Sequence, residues 1–142
     1  MALKAINPTQ TQSWKNLENH FSEIKDVHLK TLFKANPNRA EQFTAKWQDF
    51  YVDFSKNRIT KATLSQLINL ANELDLKDAI KKYFSGDLIN ATEGRAVLHT
   101  ALRASRVSEV MVQGKNVVPE VYEVREKIKT FTLEFKADYS ET

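Results

Sequence analysis

The sequence contains no cysteine, and its 142 residues include only three glycines, three prolines and three histidines. Without cysteine the chain cannot form a disulfide, a thiolate metal site or a cysteine nucleophile. The glycines, Gly86, Gly94 and Gly114, are too far apart to form a glycine-rich loop that binds phosphate. Three histidines leave little room for an imidazole-rich metal centre. Composition therefore excludes several classes of enzyme.

Long apolar runs and basic clusters are also missing. No apolar stretch approaches the roughly 20 residues that span a bilayer, and residues 1–6 are too few and too mixed for a signal peptide. The formal charge is +3, from 21 basic and 18 acidic residues that are interspersed along the chain. Nucleic-acid binders instead concentrate their cations on one face. We expect a soluble, cytoplasmic protein that binds neither nucleic acid nor a membrane.

Apolar residues recurring at three- and four-residue steps predict a mainly α-helical chain, whose length suits one domain. Thr60, Asp75 and Thr92 are placed to cap helices, and Gly86 to end one. Phe43 and Trp47 are expected to continue in a helical conformation. The predicted helices run from after Pro8 to Ile24, over Leu29–Phe33, from Thr60 to Leu74, from Asp75 to Gly86 with Ala79, Ile80, Tyr83 and Phe84 facing inward, from Thr92 to Leu102, and from Pro119 to Phe135.

Two short segments have the pattern of β-strands. Between Gln48 and Ser55 apolar and polar residues alternate, the period of a half-buried strand with Phe50, Val52 and Phe54 on one face. Residues 109–112 are expected to form a short strand that is followed by a tight turn. The predicted fold class is thus mainly α with two small β elements.

The three histidines do not suggest an active site. His20 and His28 lie on either side of a predicted break without a metal-ligand spacing, and are expected at the surface or at helix ends. His99 lies within a predicted helix. We expect it to be a buried, hydrogen-bonded structural residue, because no acid or nucleophile lies nearby in sequence to complete a catalytic pair.

The carboxylates offer no sharper signal. Asp53, Asp87 and Glu93 lie near the ends of predicted elements, where turn and capping roles explain them. Trp14 and Trp47 fall on the predicted helical stripes, which favours core positions over a stacking platform.

Three arginines are candidates for binding an anionic ligand: Arg95, Arg103 and Arg106. The simpler interpretation is that Arg95 and Arg103 flank one helix and pair with acids. From the residues alone, we predict a domain without a catalytic, substrate-binding or metal site of its own.

Sequence blocks along the chain resemble the glucose-6-phosphate isomerase family. The clearest is INATEGRAVLHTALR, Ile89 to Arg103, which is similar to a block in the N-terminal part of that family. Further matches follow the family's order and approximate spacing: LFKANPNRAEQFT (32–44), VDFSKNRIT (52–60), FSGDLIN (84–90) and VQGKNVVPEVYEV (112–124).

The resemblance implies an enzyme whose full chain is several times longer and folds as an α/β sandwich of the sugar-isomerase type. The family's glycine-rich segment, its phosphate-binding Ser/Lys/Thr loop and its catalytic acid, histidine and lysine would all lie beyond residue 142. Residues 1–142 are therefore expected to be an N-terminal helical segment with no catalytic, substrate-binding or metal-ligating residue. The alternative is a free-standing, non-catalytic helical module that binds a partner protein.

The resemblance also implies the properties of the whole enzyme. It would isomerise a sugar phosphate between aldose and ketose in glycolysis and gluconeogenesis, in the cytoplasm, as a homodimer and without a cofactor or metal. The 142-residue chain alone is predicted to be inactive.

Overall fold

The computed structural model describes residues 3–140, and side chains as far as residue 136. It is mostly helical with two small antiparallel strand pairs, which confirms the predicted fold class. Its contacts divide the chain into two units. The first is Ile6–Leu74, and the second comprises the described residues from Asp75 onward together with residues 3–5.

The first unit contains four α-helices, one short 3-10 helix (Pro8–Gln10) and one β-hairpin. Helix α1 packs against α4, and Phe43, just before the hairpin, is 1% exposed. The hairpin strands pair in register from Thr44 with Asp53 to Trp47 with Phe50. The elements are α1 (Gln12–Ile24), α2 (Leu29–Ala35), α3 (Arg39–Gln42), β1 (Thr44–Trp47), β2 (Phe50–Asp53) and α4 (Lys61–Glu73).

The second unit contains three helices and one very short hairpin. Its described buried apolar residues are Ala101 and Val118, where α6 and α7 pack together. No helix among residues 3–140 is both long enough and apolar enough to cross a bilayer. The elements are α5 (Leu76–Ser85), α6 (His99–Arg103), β3 (Met111–Val112), β4 (Lys115–Asn116) and α7 (Val118–Ser140).

Capping residues define several helix ends, and the sequence predicts two of them, Thr60 and Gly86. Thr60 and Thr63 form a reciprocal capping box at the start of α4, and Gly86 ends α5 in the left-handed conformation with φ of 77°. The Thr11 hydroxyl accepts the Trp14 N–H at the start of α1. The threonine side chains at the starts of α1 and α4 satisfy N–H groups that have no partner within the helix.

A distant carboxylate also caps α1. The Glu73 side chain accepts the N–H groups of Gln12 and Ser13 at 3.0 and 2.9 Å. Hydrogen bonds from the Ser13 side chain and then from these backbone N–H groups lower the pKa of Glu73 below its ordinary value of 4.5. The charged carboxylate at the positive end of the helix thus ties α1 to the end of α4.

Replacing this carboxylate is expected to make α1 less stable in a pH-dependent way. A lowered pKa in the folded state means that the contribution is present above the ordinary pKa and is lost as the pH falls through the folded value. Glu73→Gln should therefore lower the melting temperature at pH 7, and the difference from wild type should shrink in acid. Thermal unfolding followed by tryptophan fluorescence measures this difference in melting temperature. Glu18→Gln, at an exposed position of α1, is the control. A constant difference at every pH would contradict the assignment.

Two predictions about the β1–β2 hairpin are wrong. Residues 44–47, expected to continue as helix, form β1, because the chain reverses at Gln48 (φ of 48°) and pairs with β2. Phe50 and Val52, expected to face inward, are 64% and 54% exposed. In a two-stranded hairpin, alternation buries a face only where another layer covers it.

The helix predicted from Thr92 to Leu102 is also shorter than expected. Only His99–Arg103 is helical, and Thr92 lies in a turn that ends with a bridge between Asn90 and Arg95. Gly94 adopts a φ of 63° in this turn. A left-handed glycine closes the turn, so the helix begins only afterwards.

Helix α5 departs from prediction at two points. Asp75 precedes it, but its φ is 59° and its side chain makes no cap bond. The carboxylate instead pairs with Lys4 at 2.6 Å, and this hydrogen bond lowers the pKa of Asp75. Ile80 and Phe84, predicted to face inward, are 51% and 64% exposed.

Candidate functional site

His20 and His28 belong to the first unit and have structural roles there. His20 on α1 is buried, and its Nε2 lies 2.7 Å from the Thr63 hydroxyl oxygen at the start of α4. Its Nδ1 lies 3.5 Å from the Glu23 carboxylate. His28 is exposed and caps α2 by accepting the Lys30 N–H. The expected helix-end position is confirmed for His28, whereas a surface position for His20 is wrong.

His99 also differs from expectation. It is the first residue of α6 and is exposed, so it is not the buried, hydrogen-bonded histidine that the sequence predicts. The reason is the shorter helix: with α6 beginning at residue 99, this side chain lies at its edge.

The three candidate carboxylates have the predicted turn roles. Asp53 accepts the Ser55 N–H at 2.8 Å, and hydrogen bonds from Ser55 lower the pKa of Asp53. Asp87 accepts the Ser85 hydroxyl at 2.9 Å. Glu93 accepts a hydrogen bond from the Asn90 side chain within the turn before α6. Each of these bonds links residues two or three positions apart.

The candidate arginines are exposed surface residues. Arg95 pairs with Glu93 at 2.9 Å, which confirms its predicted acidic partner, although it precedes α6 rather than lying on it. Arg106 pairs with Glu126 at 3.4 Å and lies over the Tyr122 ring. Arg103 is the last residue of α6 and is absent from the ion pairs of residues 3–136, so the acidic partner predicted for it is wrong.

The tryptophans also differ in burial. Trp14 is half-buried on α1, whereas Trp47 is 66% exposed and stacks on Phe50 at the end of the hairpin. A core position for Trp47 is therefore wrong.

Arg39, which the sequence does not indicate as a candidate, makes three side-chain hydrogen bonds to distant parts of the first unit. It is 2% exposed, and its guanidinium donates to the backbone carbonyls of Ser55, Asn57 and Ile59 at 2.7, 2.7 and 2.9 Å. The group also lies 4.2 Å from the centre of the Phe43 ring. Phe43 four residues after an arginine is the one local signal, since this spacing places both on one helix face.

These side chains do not converge on a reaction centre. Arg39 donates to backbone carbonyls of the loop between β2 and α4. The bond between His20 and Thr63 links α1 to α4. Within residues 3–136, no cluster of three or more histidine or acidic side chains is arranged to hold a metal ion. A groove of about 410 Å³ is lined mainly by apolar residues of α1 and α4, among them Trp14, Phe21 and Leu67.

Comparison with known proteins identifies the family. The sequence model described as Phosphoglucose isomerase matches residues 53–140, more than half of the chain. The chain belongs to the phosphoglucose isomerase family. A curated relative, the glucose-6-phosphate isomerase of Christiangramia forsetii, is 55% identical over 130 residues. This match covers 92% of the present chain but only 24% of the relative.

The family assignment confirms the resemblance found in the sequence. The match spans both units, and the block from Ile89 to Arg103 lies inside the region that the phosphoglucose isomerase model covers. In the structure this block comprises the turn before α6 and α6 itself. That the chain holds no catalytic or substrate-binding residue stays a prediction.

Proposed function

We propose that this chain is the N-terminal part of a glucose-6-phosphate isomerase and serves there as scaffold. The whole enzyme would interconvert glucose 6-phosphate and fructose 6-phosphate in glycolysis and gluconeogenesis. The observation that carries the proposal is the 55% identity to a curated glucose-6-phosphate isomerase over 92% of the chain.

The chemistry of this reaction explains why we propose a scaffold role. Aldose–ketose isomerisation requires ring opening, proton transfer by a carboxylate, a cation beside the developing oxyanion and an anchor for the phosphate. The described candidates instead have local partners: Asp53 bonds to Ser55, and Arg95 to Glu93. We assign the catalytic groups to the part of the enzyme that the match does not cover.

The proposal extends to the properties of the whole enzyme. We infer a cytoplasmic homodimer, as the resemblance to the family implies. The enzyme should need no metal or cofactor, because isomerisation through an enediol requires only acid–base and electrostatic catalysis. Its partner is the sugar phosphate, and nucleic acid and membranes are not partners.

A chimeric enzyme tests the proposed function. The 130-residue segment of the Christiangramia forsetii enzyme that matches this chain is replaced by the present sequence. We expect the chimera to convert fructose 6-phosphate to glucose 6-phosphate at a rate within roughly tenfold of the parent, since a scaffold exchange should leave most transition-state contacts in place. A coupled assay with glucose-6-phosphate dehydrogenase measures the product.

The free 142-residue chain is the second arm of this experiment. It should show no conversion above the uncatalysed rate. An active free chain would contradict the absence of catalytic residues. A folded but inactive chimera would contradict the proposed function and favour the alternative, a helical module that binds a partner protein.

A further inference from the structure

His20 is a buried titratable group that the proposed function does not use. Its side chain is 9% exposed, and both of its ring nitrogens have polar partners. Nε2 lies 2.7 Å from the Thr63 hydroxyl oxygen, and Nδ1 lies 3.5 Å from the Glu23 carboxylate. A ring nitrogen can donate or accept a hydrogen bond, so the positions of the protons follow from what these partners require.

The hydroxyls beside His20 belong to the capping box of α4. Each hydroxyl oxygen accepts a backbone N–H: the oxygen of Thr63 accepts from Thr60 at 2.9 Å, and the oxygen of Thr60 accepts from Thr63 at 3.3 Å. The two oxygens lie 3.1 Å apart, and the Thr60 oxygen lies 3.5 Å from His20 Nε2. Among the described residues, the acceptors that these hydroxyls contact are therefore each other's oxygen and Nε2.

This geometry favours one tautomer of the neutral ring. With the proton on Nδ1, Nε2 accepts from the Thr63 hydroxyl, Thr63 accepts from the Thr60 hydroxyl, and Nδ1–H donates towards Glu23. With the proton on Nε2, the lone pair of Nδ1 would face a negative carboxylate, and the Thr60 hydroxyl would lose its acceptor in this group. A buried polar atom without a partner costs free energy, so the neutral ring carries its proton on Nδ1.

Uptake of a second proton reverses this chain of hydrogen bonds. Nε2 becomes a donor, so Thr63 accepts from the ring and donates its own hydroxyl proton to Thr60. The heavy atoms keep their positions, because a hydroxyl can donate as well as accept. Nδ1–H still faces Glu23, and the contact becomes an ion pair. The same atoms thus connect α1 to α4 in both charge states of the ring.

Glu23 is the charged group that faces the ring. It lies on α1, three positions after His20, and is the partner in the one described ion pair of this histidine. From α4 the ring meets the hydroxyls of the capping box, whereas Lys61, the first residue of α4, is exposed. Arg58, just before the capping box, is also exposed and donates to the Lys25 carbonyl.

We propose that His20 is a proton-dependent link between α1 and α4. In its neutral form Nε2 accepts the Thr63 hydroxyl, and in its charged form Nε2–H donates to Thr63 while Glu23 balances the charge. The contribution of Glu23 to stability therefore grows as the pH falls through the range in which histidines gain their charge. All of these residues belong to the first unit, so the inference does not depend on the proposed function.

Nitrogen-15 NMR of the 142-residue chain tests the neutral form. His28→Asn combined with His99→Gln leaves His20 as the only histidine. Both replaced positions are exposed, and asparagine can still cap α2. At about pH 8 we expect the chemical shift of a bare nitrogen at Nε2 and of a protonated nitrogen at Nδ1. Thr63→Val should weaken this preference and Thr63→Ser should retain it. A proton on Nε2 of the neutral ring would overturn the proposal.

Melting temperatures from tryptophan fluorescence test the charged form. Glu23→Gln should lower the melting temperature by roughly 2–4 °C more at about pH 5 than at about pH 8, because the ion pair requires a charged ring. Any effect of Glu23 on the helix end is nearly the same at both pH values, since glutamates are ordinarily ionised at each. Glu18→Gln is the control and should show no such difference, because Glu18 lies about 200° away from His20 around α1.

A second background separates the link from other effects of Glu23. In His20→Gln the side chain can bond to Thr63 but cannot gain a charge, so the pH-dependent part of the Glu23→Gln effect should disappear. An effect that is equal at both pH values, or that keeps its pH dependence without His20, contradicts the proposal. The NMR measurement retains His20, so it decides the matter even if His20→Gln does not fold.

Discussion

Replacing Arg39 by alanine is expected to destabilise strongly the unit formed by Ile6–Leu74. The guanidinium makes three hydrogen bonds of 2.7–2.9 Å to backbone carbonyls, and it is almost completely buried. Hydrogen bonds from a charged donor contribute about 1.5–3 kcal/mol each, and a buried carbonyl without a partner loses the free energy of its hydration. We expect the free energy of unfolding to fall by about 3–5 kcal/mol, a large part of what a small domain has.

The bonds of Arg39 explain the size of this effect. They join α3 to the loop between β2 and α4, over residues 55–59, so one side chain connects segments that lie 16 to 20 positions apart. Arg39→Lys keeps the charge but loses the planar fork that reaches several carbonyls at once. The free energy of unfolding of Arg39→Lys should lie between those of the wild type and Arg39→Ala.

Urea denaturation followed by tryptophan fluorescence measures the effect, since both tryptophans of the chain, Trp14 and Trp47, lie in this unit. Arg58→Ala is the matched control. Arg58 is exposed and makes a hydrogen bond of 2.8 Å to the Lys25 carbonyl, so its removal should cost about 1 kcal/mol or less. Equal effects of the two alanine variants would contradict the role assigned to Arg39.

The sequence predicts local structure where the deciding contacts are local. The Thr60 cap and the Gly86 helix end both connect residues within four positions of each other, and both are confirmed. Charge, spacing and residue type are sufficient for such contacts because the backbone geometry of a helix is known in advance.

Contacts between distant residues were not predictable in this way. The hairpin depends on pairing between Thr44 and Asp53, and the burial of His20 depends on Thr63, which lies 43 positions further along. Alternation in β2 indicates a strand, but only the surrounding layers decide whether Phe50 is covered. The predicted inward orientation is therefore wrong for Phe50 and Val52 in the hairpin and for Ile80 and Phe84 in α5, which this chain leaves exposed.

The candidate site residues show the same difference between local contacts, which the sequence predicts, and distant contacts, which it does not. Positions near the ends of predicted elements indicated local roles for Asp53, Asp87 and Glu93, and hydrogen bonds to close neighbours confirm those roles. Arg39 carried no comparable signal, because its partners are backbone carbonyls, which every residue has. The function came from similarity to a family, since a reaction cannot be inferred from side chains that belong to caps and turns.

Gly86→Ala is expected to destabilise the second unit strongly. Gly86 has a φ of 77°, a conformation that L-residues adopt at a cost of about 1–2 kcal/mol. A Cβ at this position would also overlap the backbone carbonyl oxygen of Met111 and lie 3.0 Å from a methyl carbon of Val112. The carbonyl belongs to β3, so relief requires the backbone to move. We expect a total loss of about 3–5 kcal/mol.

The other two glycines are matched controls, because they share the backbone conformation without the crowding. Gly94 and Gly114 have φ of 63° and 82°, and no described atom would lie within 4 Å of a Cβ at either position. Their alanine variants should lose only the conformational part, about 1–2 kcal/mol. Amide hydrogen exchange in peptides from α5 and α6 measures the effect in this unit, which contains no tryptophan. If all three variants exchange alike, the close approach of Gly86 to Met111 does not hold the end of α5 against β3.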